Sequence, residues 1–598
     1  MPGILYRLSL AEPHTHLFRV EIAIKGVQEP QELAMPSWTP GSYLLREFPR
    51  NVQEFHAEDG AGRTLGWQKT DKNRWRIEEP ADGALGVRYA VYANELTVRT
   101  SHLDASHGYV NGAGVFMYVA GREAEEATVE IDAPAGWRAT TALRDAGSHR
   151  FHARDYDELV DSPIEIGTHE LLEFEVAGRP HRYAIWGHGN YDPQRLIADT
   201  RKIVLAEQEL FGVLPYEEFT FILHLVPGGY GGLEHRSSTS LLIDRWSFRG
   251  EEYERFLGLV AHELFHAWNG KRIRPAPLGP FDYTRENYTR NLWVVEGLTT
   301  YYTDLILRRA GLITPERYLV KLEEAINRLQ SQPGRQVQTL EESSFDAWIK
   351  FYRPDEHTPN SQISYYQKGA LVGLLLDLHI RSATEGTRSL DDVMGLLWER
   401  YGAPDRGFPE AGEESVIERI AQEVCGEPLG DFFDRYLRST AELEYGRHLA
   451  AAGIELTPAD TSERPSGESA ATSTNAAEPA AADSGSQVEL GVRLKEEGNR
   501  TLVTHVLADT PAYRAGLNAN DEILALDGLR VNSKGLAARL AERQPGERAT
   551  LTLFRRDELL TLAVELEPPS TPRVRLTRVT DPTNLQEAIY RDWLRIAG

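Results

Sequence analysis

Val260-Ala-His-Glu-Leu-Phe-His266 decides the reading of this chain. His262 and His266 stand four residues apart, with Glu263 directly after the first. On a helix of ~3.6 residues per turn, that spacing puts both imidazoles on one face. Two neutral imidazoles so placed can hold one Zn²⁺. Glu263 then points at the open coordination position, where it can take a proton from a water. Alone, the string also fits two histidines on a half-buried helix that bind nothing, so its surroundings decide.

A catalytic zinc usually keeps three protein ligands and one open position. Asn291-Leu-Trp-Val-Val-Glu-Gly-Leu-Thr-Thr-Tyr-Tyr302 offers the third, Glu296, on a separate helix. Its neighbours are mostly apolar, and a carboxylate in a buried helix needs a partner such as a metal. In Gly231-Gly-Leu-Glu-His235, Gly231 and Gly232 allow close backbone approach, and Glu234 presents a carboxylate. Beside a zinc site that carboxylate can bind the protonated α-amine of a peptide. Taken alone, the segment is more simply a Gly-rich turn with an acid. Tyr365-Tyr-Gln-Lys-Gly-Ala370 opens a helix. A tyrosine there can donate to the oxyanion of a tetrahedral intermediate, or merely pack in a core.

The rest of the chain sets bounds. A net charge of −25 argues against nucleic-acid binding. The hydrophobic share of 41% and charged share of 26% are those of soluble globular protein. One cysteine, Cys425, excludes an intramolecular disulfide and any thiolate metal cluster. The first ten residues read as a strand rather than a signal peptide, and no apolar run approaches membrane-spanning length. A cytoplasmic protein is expected.

The hydrophobic pattern predicts a multidomain α+β chain. Period-two alternation in Leu17–Ile24 and Val87–Tyr92 gives an N-terminal β-sandwich-like domain over 1–168. Helical periodicity, including Glu251 to Trp268, dominates 169–455. The composition of 456–486 is that of a flexible linker. A compact β module follows at 487–567, then a tail at 568–598 with an amphipathic helix from Asn584 to Ile596.

Taken together, these segments resemble the gluzincin aminopeptidases: His262-Glu-x-x-His266, Glu296 in Trp-x-x-Glu-Gly, and Tyr366 in Tyr-x-Lys-Gly. Closer still is the likeness to metallopeptidase family 61, the glycyl aminopeptidases. It is carried further by Trp38-Thr-Pro-Gly-Ser-Tyr43, Asp155-Tyr-Asp-Glu-Leu-Val-Asp-Ser-Pro163 and Trp268-Asn-Gly-Lys-Arg-Ile-Arg-Pro275. The resemblance implies an N-terminal β domain, a thermolysin-like α-rich catalytic domain and a C-terminal PDZ-like β domain. It implies one Zn²⁺ held by His262, His266 and Glu296, with Glu263 as general base. Glu234 would anchor the substrate α-amine, and Tyr366 would stabilise the oxyanion. Two positions depart from the broader gluzincin pattern: Val295 stands where an Asn commonly precedes the third ligand, and Leu233 and His235 alter the exopeptidase motif.

The implied activity is removal of small N-terminal residues, Gly or Ala, from unblocked peptides. In the PDZ-like module, Leu490, Gly491 and Val492 stand at the loop that would capture a peptide C-terminus; a purely structural module is the other reading. Two alternatives to the aminopeptidase remain at this stage: an endopeptidase that selects chains through the PDZ-like module, and a non-catalytic peptide-binding scaffold.

Overall fold

The computed structural model describes residues 3–410, 415–459, 480–481, 487–571 and 573–596. It divides into two compact units. The first holds 1–289, 310–312 and 395–410.

In that unit the N-terminal β domain is built on a seven-stranded sheet. Its middle strands, Ile4–Ser9, Leu17–Lys25 and Ala84–Tyr92, run antiparallel, and Ile4–Ser9 also pairs in parallel with Ala127–Asp132. Leu17–Lys25 alternates as its sequence predicts, with Phe18, Val20, Ile22 and Ile24 buried. Two four-stranded sheets complete the domain, one of them containing Ile164–Gly167 and His107–Val110. A single apolar core runs through it, from Ile4 to Tyr283.

The same unit continues into a five-stranded mixed sheet. Phe219–Val226 lies near its centre, in parallel with Arg179–Trp186 and with Ser238–Asp244. Tyr230–Glu234 closes the edge, antiparallel to Ser238–Asp244, with Glu234 opposite Thr239. Helix Gly250–Phe265 packs on these last two strands and buries Tyr253, Phe256, Leu257, Val260 and Leu264. It ends three residues before the expected Trp268, because Trp268 turns inward: its ring stacks on Phe211 and its Nε1 donates to the Val213 carbonyl.

The second unit holds 290–309, 313–394 and 411–598. Helices Leu298–Arg309, Pro315–Gln330 and Tyr365–Ala383 pack on one another. Of the expected linker, 460–479 and 482–486 lie outside the described residues. Before them, strand Ile454–Pro458 pairs with Val574–Arg578 from the tail. Ala480–Ala481 pairs with Arg493 and Leu494. The C-terminal β module has its own core, including Leu490, Val492, Val503, Leu536, Leu551 and Val564.

The tail helix is Asn584–Trp593, opened by a Thr583/Gln586 capping box. Its Trp593 is buried and donates through Nε1 to the Tyr301 hydroxyl at 2.9 Å, while Arg381 bonds Asp592 at 2.6 Å. Among the described residues, no helix is long and apolar enough to cross a membrane.

Candidate active site

The first unit brings His262, Glu263, His266 and Glu234 together. His262 lies in the last turn of Gly250–Phe265, and His266 caps that helix. Their Nε2 atoms face each other at 3.1 Å. His266 Nδ1 lies 2.8 Å from the Asn269 carbonyl. A carbonyl only accepts, so Nδ1 carries the proton and Nε2 presents its lone pair. The Trp268–Ile273 turn aims that carbonyl, with Lys271 N donating to His266 O and Ile273 N to Trp268 O. This gives a structural reason for the Trp-Asn-Gly-Lys segment after the histidines.

The donor set fits a metal ion. The His266 Nε2 lone pair faces His262 Nε2 at 3.1 Å, a contact that a proton or a cation between the two nitrogens would satisfy. Two nitrogens ~2.0–2.1 Å from a shared tetrahedral ion stand about 3.3 Å apart, close to what is observed.

Glu263 is buried and reaches the edge strand. A Cβ built on Gly232 would come within 2.0 Å of Glu263 Oε1, so only glycine lets the strand backbone lie against this carboxylate. Glu234, Glu263 and His266 offer ligand-type atoms within 4.8 Å of one another. Gly41, in the Trp38–Tyr43 segment of the β domain, approaches Glu234 from another side. It has φ +87°, and a Cβ there would come 2.6 Å from both carboxylate oxygens. Gly231 has more room, its added Cβ meeting only Arg99 and Val98 at 3.9 Å.

The second unit carries Glu296 and Tyr366. Glu296 is buried in a π-helical turn, Trp293–Gly297, that leads into Leu298–Arg309. Single π turns of this kind recur at functional sites. Tyr366 lies in the first turn of Tyr365–Ala383, whose N-cap Ser364 accepts from Gln367 N. The two elements cross at a pair of glycines: a Cβ on Gly297 would lie 2.7 Å from Gly369 Cα, and one on Gly369 would lie 2.9 Å from Gly297 Cα. These are the glycines of Glu-Gly and Tyr-x-Lys-Gly, so the two motifs are two sides of one contact. Burial pushes the Tyr366 hydroxyl well above its ordinary pKa, and the Glu296 carboxylate pushes it further. Phe351 stacks on the Tyr366 ring at 5.5 Å.

In the C-terminal module, the Leu490 and Val492 side chains belong to the core. Gly491 has φ +82°, and its added Cβ would overlap Thr510. What this loop can offer a ligand is therefore backbone.

A second set of ligand-type residues went unnoticed in the sequence. His107 Nδ1 and His224 Nε2 lie 2.9 Å from the two oxygens of Glu165, all three fully buried. A histidine at position 224, inside the apolar strand Phe219–Val226, was the available signal.

Comparison with known proteins agrees with this arrangement. Residues 5–168 match the family model of the peptidase M61 N-terminal domain, 255–372 that of M61 glycyl aminopeptidase, and 488–566 that of the PDZ domain. Among solved structures, the chain is similar to an aminopeptidase N family protein from Idiomarina loihiensis at 32% identity and TM-score 0.90, covering 99% of this chain and 100% of that one. More distant are an M1 zinc metallopeptidase from Deinococcus radiodurans bound to a Tyr-Ser-Ala substrate (15% identity, TM-score 0.46, 74% and 94% covered) and yeast LTA4 hydrolase with bestatin (12%, TM-score 0.42, 74% and 68% covered). No curated protein matches.

The protein is therefore a metallopeptidase of aminopeptidase type, with a PDZ domain at its C-terminal end. The likeness to the Idiomarina protein extends over essentially both full chains. The chain belongs to the M61 peptidase family, as its motifs led one to expect, and the expected order of β domain, α-rich catalytic domain and PDZ domain is borne out.

Proposed function

We propose that this chain is a zinc aminopeptidase that removes small N-terminal residues, Gly or Ala, from peptides with a free α-amine. The observation that carries the reading is the convergence of the His262 and His266 Nε2 atoms beside two carboxylates, Glu263 and Glu234. His262 and His266 would supply two nitrogens and Glu296 one carboxylate, a donor set that suits zinc. Glu296 is assigned through its place thirty residues after His266 and its Trp-x-x-Glu-Gly context.

When bound, Zn²⁺ supplies Lewis acidity, polarising the scissile carbonyl and acidifying the attacking water. Glu263 takes the proton from that water and later gives it to the leaving amine. Glu234 pairs with the substrate's α-ammonium and so registers the chain end. The Tyr366 hydroxyl donates to the carbonyl oxygen as negative charge develops there. Its raised pKa keeps it protonated for that role. Gly231 and Gly232 let the edge strand lie close to the substrate backbone, and the backbone of Leu490–Val492 is offered to peptide C-termini.

The test compares glycyl- and alanyl-anilides with their N-acetylated forms, with and without a chelator. Cleavage of free-amine substrates only, lost on chelation and restored by zinc, is expected. Equal cleavage of acetylated peptides would replace this reading with an endopeptidase guided by the PDZ domain. Glu263→Gln should keep its zinc and lose roughly 10²–10⁴-fold in kcat.

A further inference from the structure

We propose that Asp161, from the segment that closes the N-terminal β domain, is a positioning residue for amine recognition: it holds the Lys271 ammonium and the backbone after Glu234, and so reserves the Glu234 carboxylate for the substrate. The inference rests on the reading of Glu234 given above.

Asp161 follows the short helix Tyr156–Val160 and is nearly buried. Its Oδ2 accepts from the Arg236 backbone N–H at 2.8 Å, and its Oδ1 lies 3.2 Å from His235 Nδ1. It thus fixes the two residues that directly follow Glu234 on the edge strand. The same Oδ1 accepts from Lys271 Nζ at 2.9 Å. Lys271 is itself buried, in the turn after His266. Its ammonium is penalised by burial, and the Asp161 and Glu234 carboxylates, in that order, more than offset the penalty. Other cations lie nearby: Arg236 and Arg274 pair with Asp405, while buried Arg272 donates to the Arg236 and Ala267 carbonyls.

Asp161 holds both the Lys271 ammonium and the two residues after Glu234, so it places Lys271 beside that carboxylate, where two cations compete. One is the α-ammonium of a substrate. The other is Lys271, a compact charge on a flexible stem, which can re-aim if its partner is lost. Asp161 settles the competition by giving Lys271 a closer anion. A purely structural Asp161 would tie down the strand but leave the charge on Lys271 irrelevant to binding.

The test uses the full-length zinc enzyme and alanyl-p-nitroanilide. Asp161→Asn keeps the shape of the side chain and removes its charge. We expect KM to rise roughly 10- to 100-fold, with kcat within about threefold of wild type. Adding Lys271→Met to that variant removes the competing cation and should return KM to within about threefold of wild type. An unchanged KM in Asp161→Asn, or a raised KM that Lys271→Met does not lower, overturns the proposal. If Asp161→Asn alone does not fold, the double variant decides: a near-wild-type KM supports the competition, and a high KM ends it. Glu234→Gln is run alongside. If it binds the free-amine substrate as tightly as wild type, the amine-anchor reading itself has failed, whatever Asp161 does.

Discussion

At the end of helix Gly250–Phe265, His262 and His266 turn Nε2 toward Nε2 at 3.1 Å. In the same unit, His107 and His224 each turn a nitrogen toward Glu165, which stands between them at 2.9 Å from both. The ingredients are nearly identical, and both sets are of a kind that can hold a metal. The arrangement separates them. A carboxylate between two imidazoles accepts from each, so the facing nitrogens of the second cluster already share a protein partner. Two imidazoles turned nitrogen toward nitrogen stand at about the spacing that a shared tetrahedral ion would set. Burial sharpens the contrast. The Glu165 cluster is sealed, with Trp186 stacked on His107 at 3.7 Å, whereas His262 is only half-buried. Ligand-type residues point to a metal site when their donor atoms face one another at the spacing a shared ion sets.

The sharpest way to break this contrast is His266→Ala. Zinc measured on the purified full-length protein should drop from about one per chain to near zero, with turnover at background. Retention of stoichiometric metal would show that the ion sits elsewhere. Next comes Glu165→Ala, which removes the bridge and leaves two buried imidazoles facing a void. Stability should fall by about 3–5 kcal/mol in denaturant unfolding, with zinc content unchanged. If zinc were lost and stability kept, the second cluster would be the metal site.

The pH response follows from the same carboxylate. Burial alone would raise the Glu165 pKa, but His107 and then His224 outweigh it and hold it down at about 2. An unfolded glutamate titrates near ~4.3. The unfolded chain therefore binds the proton first. The stability Glu165 supplies is complete above about pH 4.3 and is lost as pH falls toward ~2. An acid titration followed by circular dichroism should show a flatter loss over that window in Glu165→Gln than in wild type. The smallest effect expected is that of Trp186→Leu, which removes the stack on His107. It should cost about 1 kcal/mol and leave both zinc and kcat unchanged.

The two clusters also show what a sequence displays and what it hides. His262, Glu263 and His266 are legible because a single helix writes their geometry into their spacing. Glu296 stands out as a carboxylate among apolar helix neighbours, whereas the choice of Tyr366 over Tyr365 came only with the family resemblance. The glycines beside them, Gly297 and Gly369, had no visible purpose until the two elements were seen to cross. Asp161 and Gly41 lay in segments that carried the family resemblance, yet their work was invisible. Asp161 reaches Lys271 across 110 residues, and Gly41 meets Glu234 across nearly two hundred, distances over which no local periodicity operates. The Glu165 cluster joins three strands from three parts of the chain, and only the misplaced polarity of His224 hinted at it. Helix Gly250–Phe265 stops short of Trp268, which is as apolar as a helix residue but has its ring stacked on Phe211.

One feature of the second unit bears on how such a protein can change over time. Ile454–Pro458 leads toward the PDZ domain and Val574–Arg578 leads away from it, and the two strands pair from Ile454 with Arg578 to Pro458 with Val574. Asn327 bonds Val574 on both its N–H and its carbonyl, and the helix beyond ends in the buried Trp593. The PDZ domain is thus an excursion from a closed ribbon, not an appendage. The entropy of closing such a loop grows only with the logarithm of its length. Cargo between Pro458 and Val574 can be lengthened, exchanged or cut out while the ribbon's ends still find each other, so a new recognition module can be trialled there without re-engineering the catalytic body.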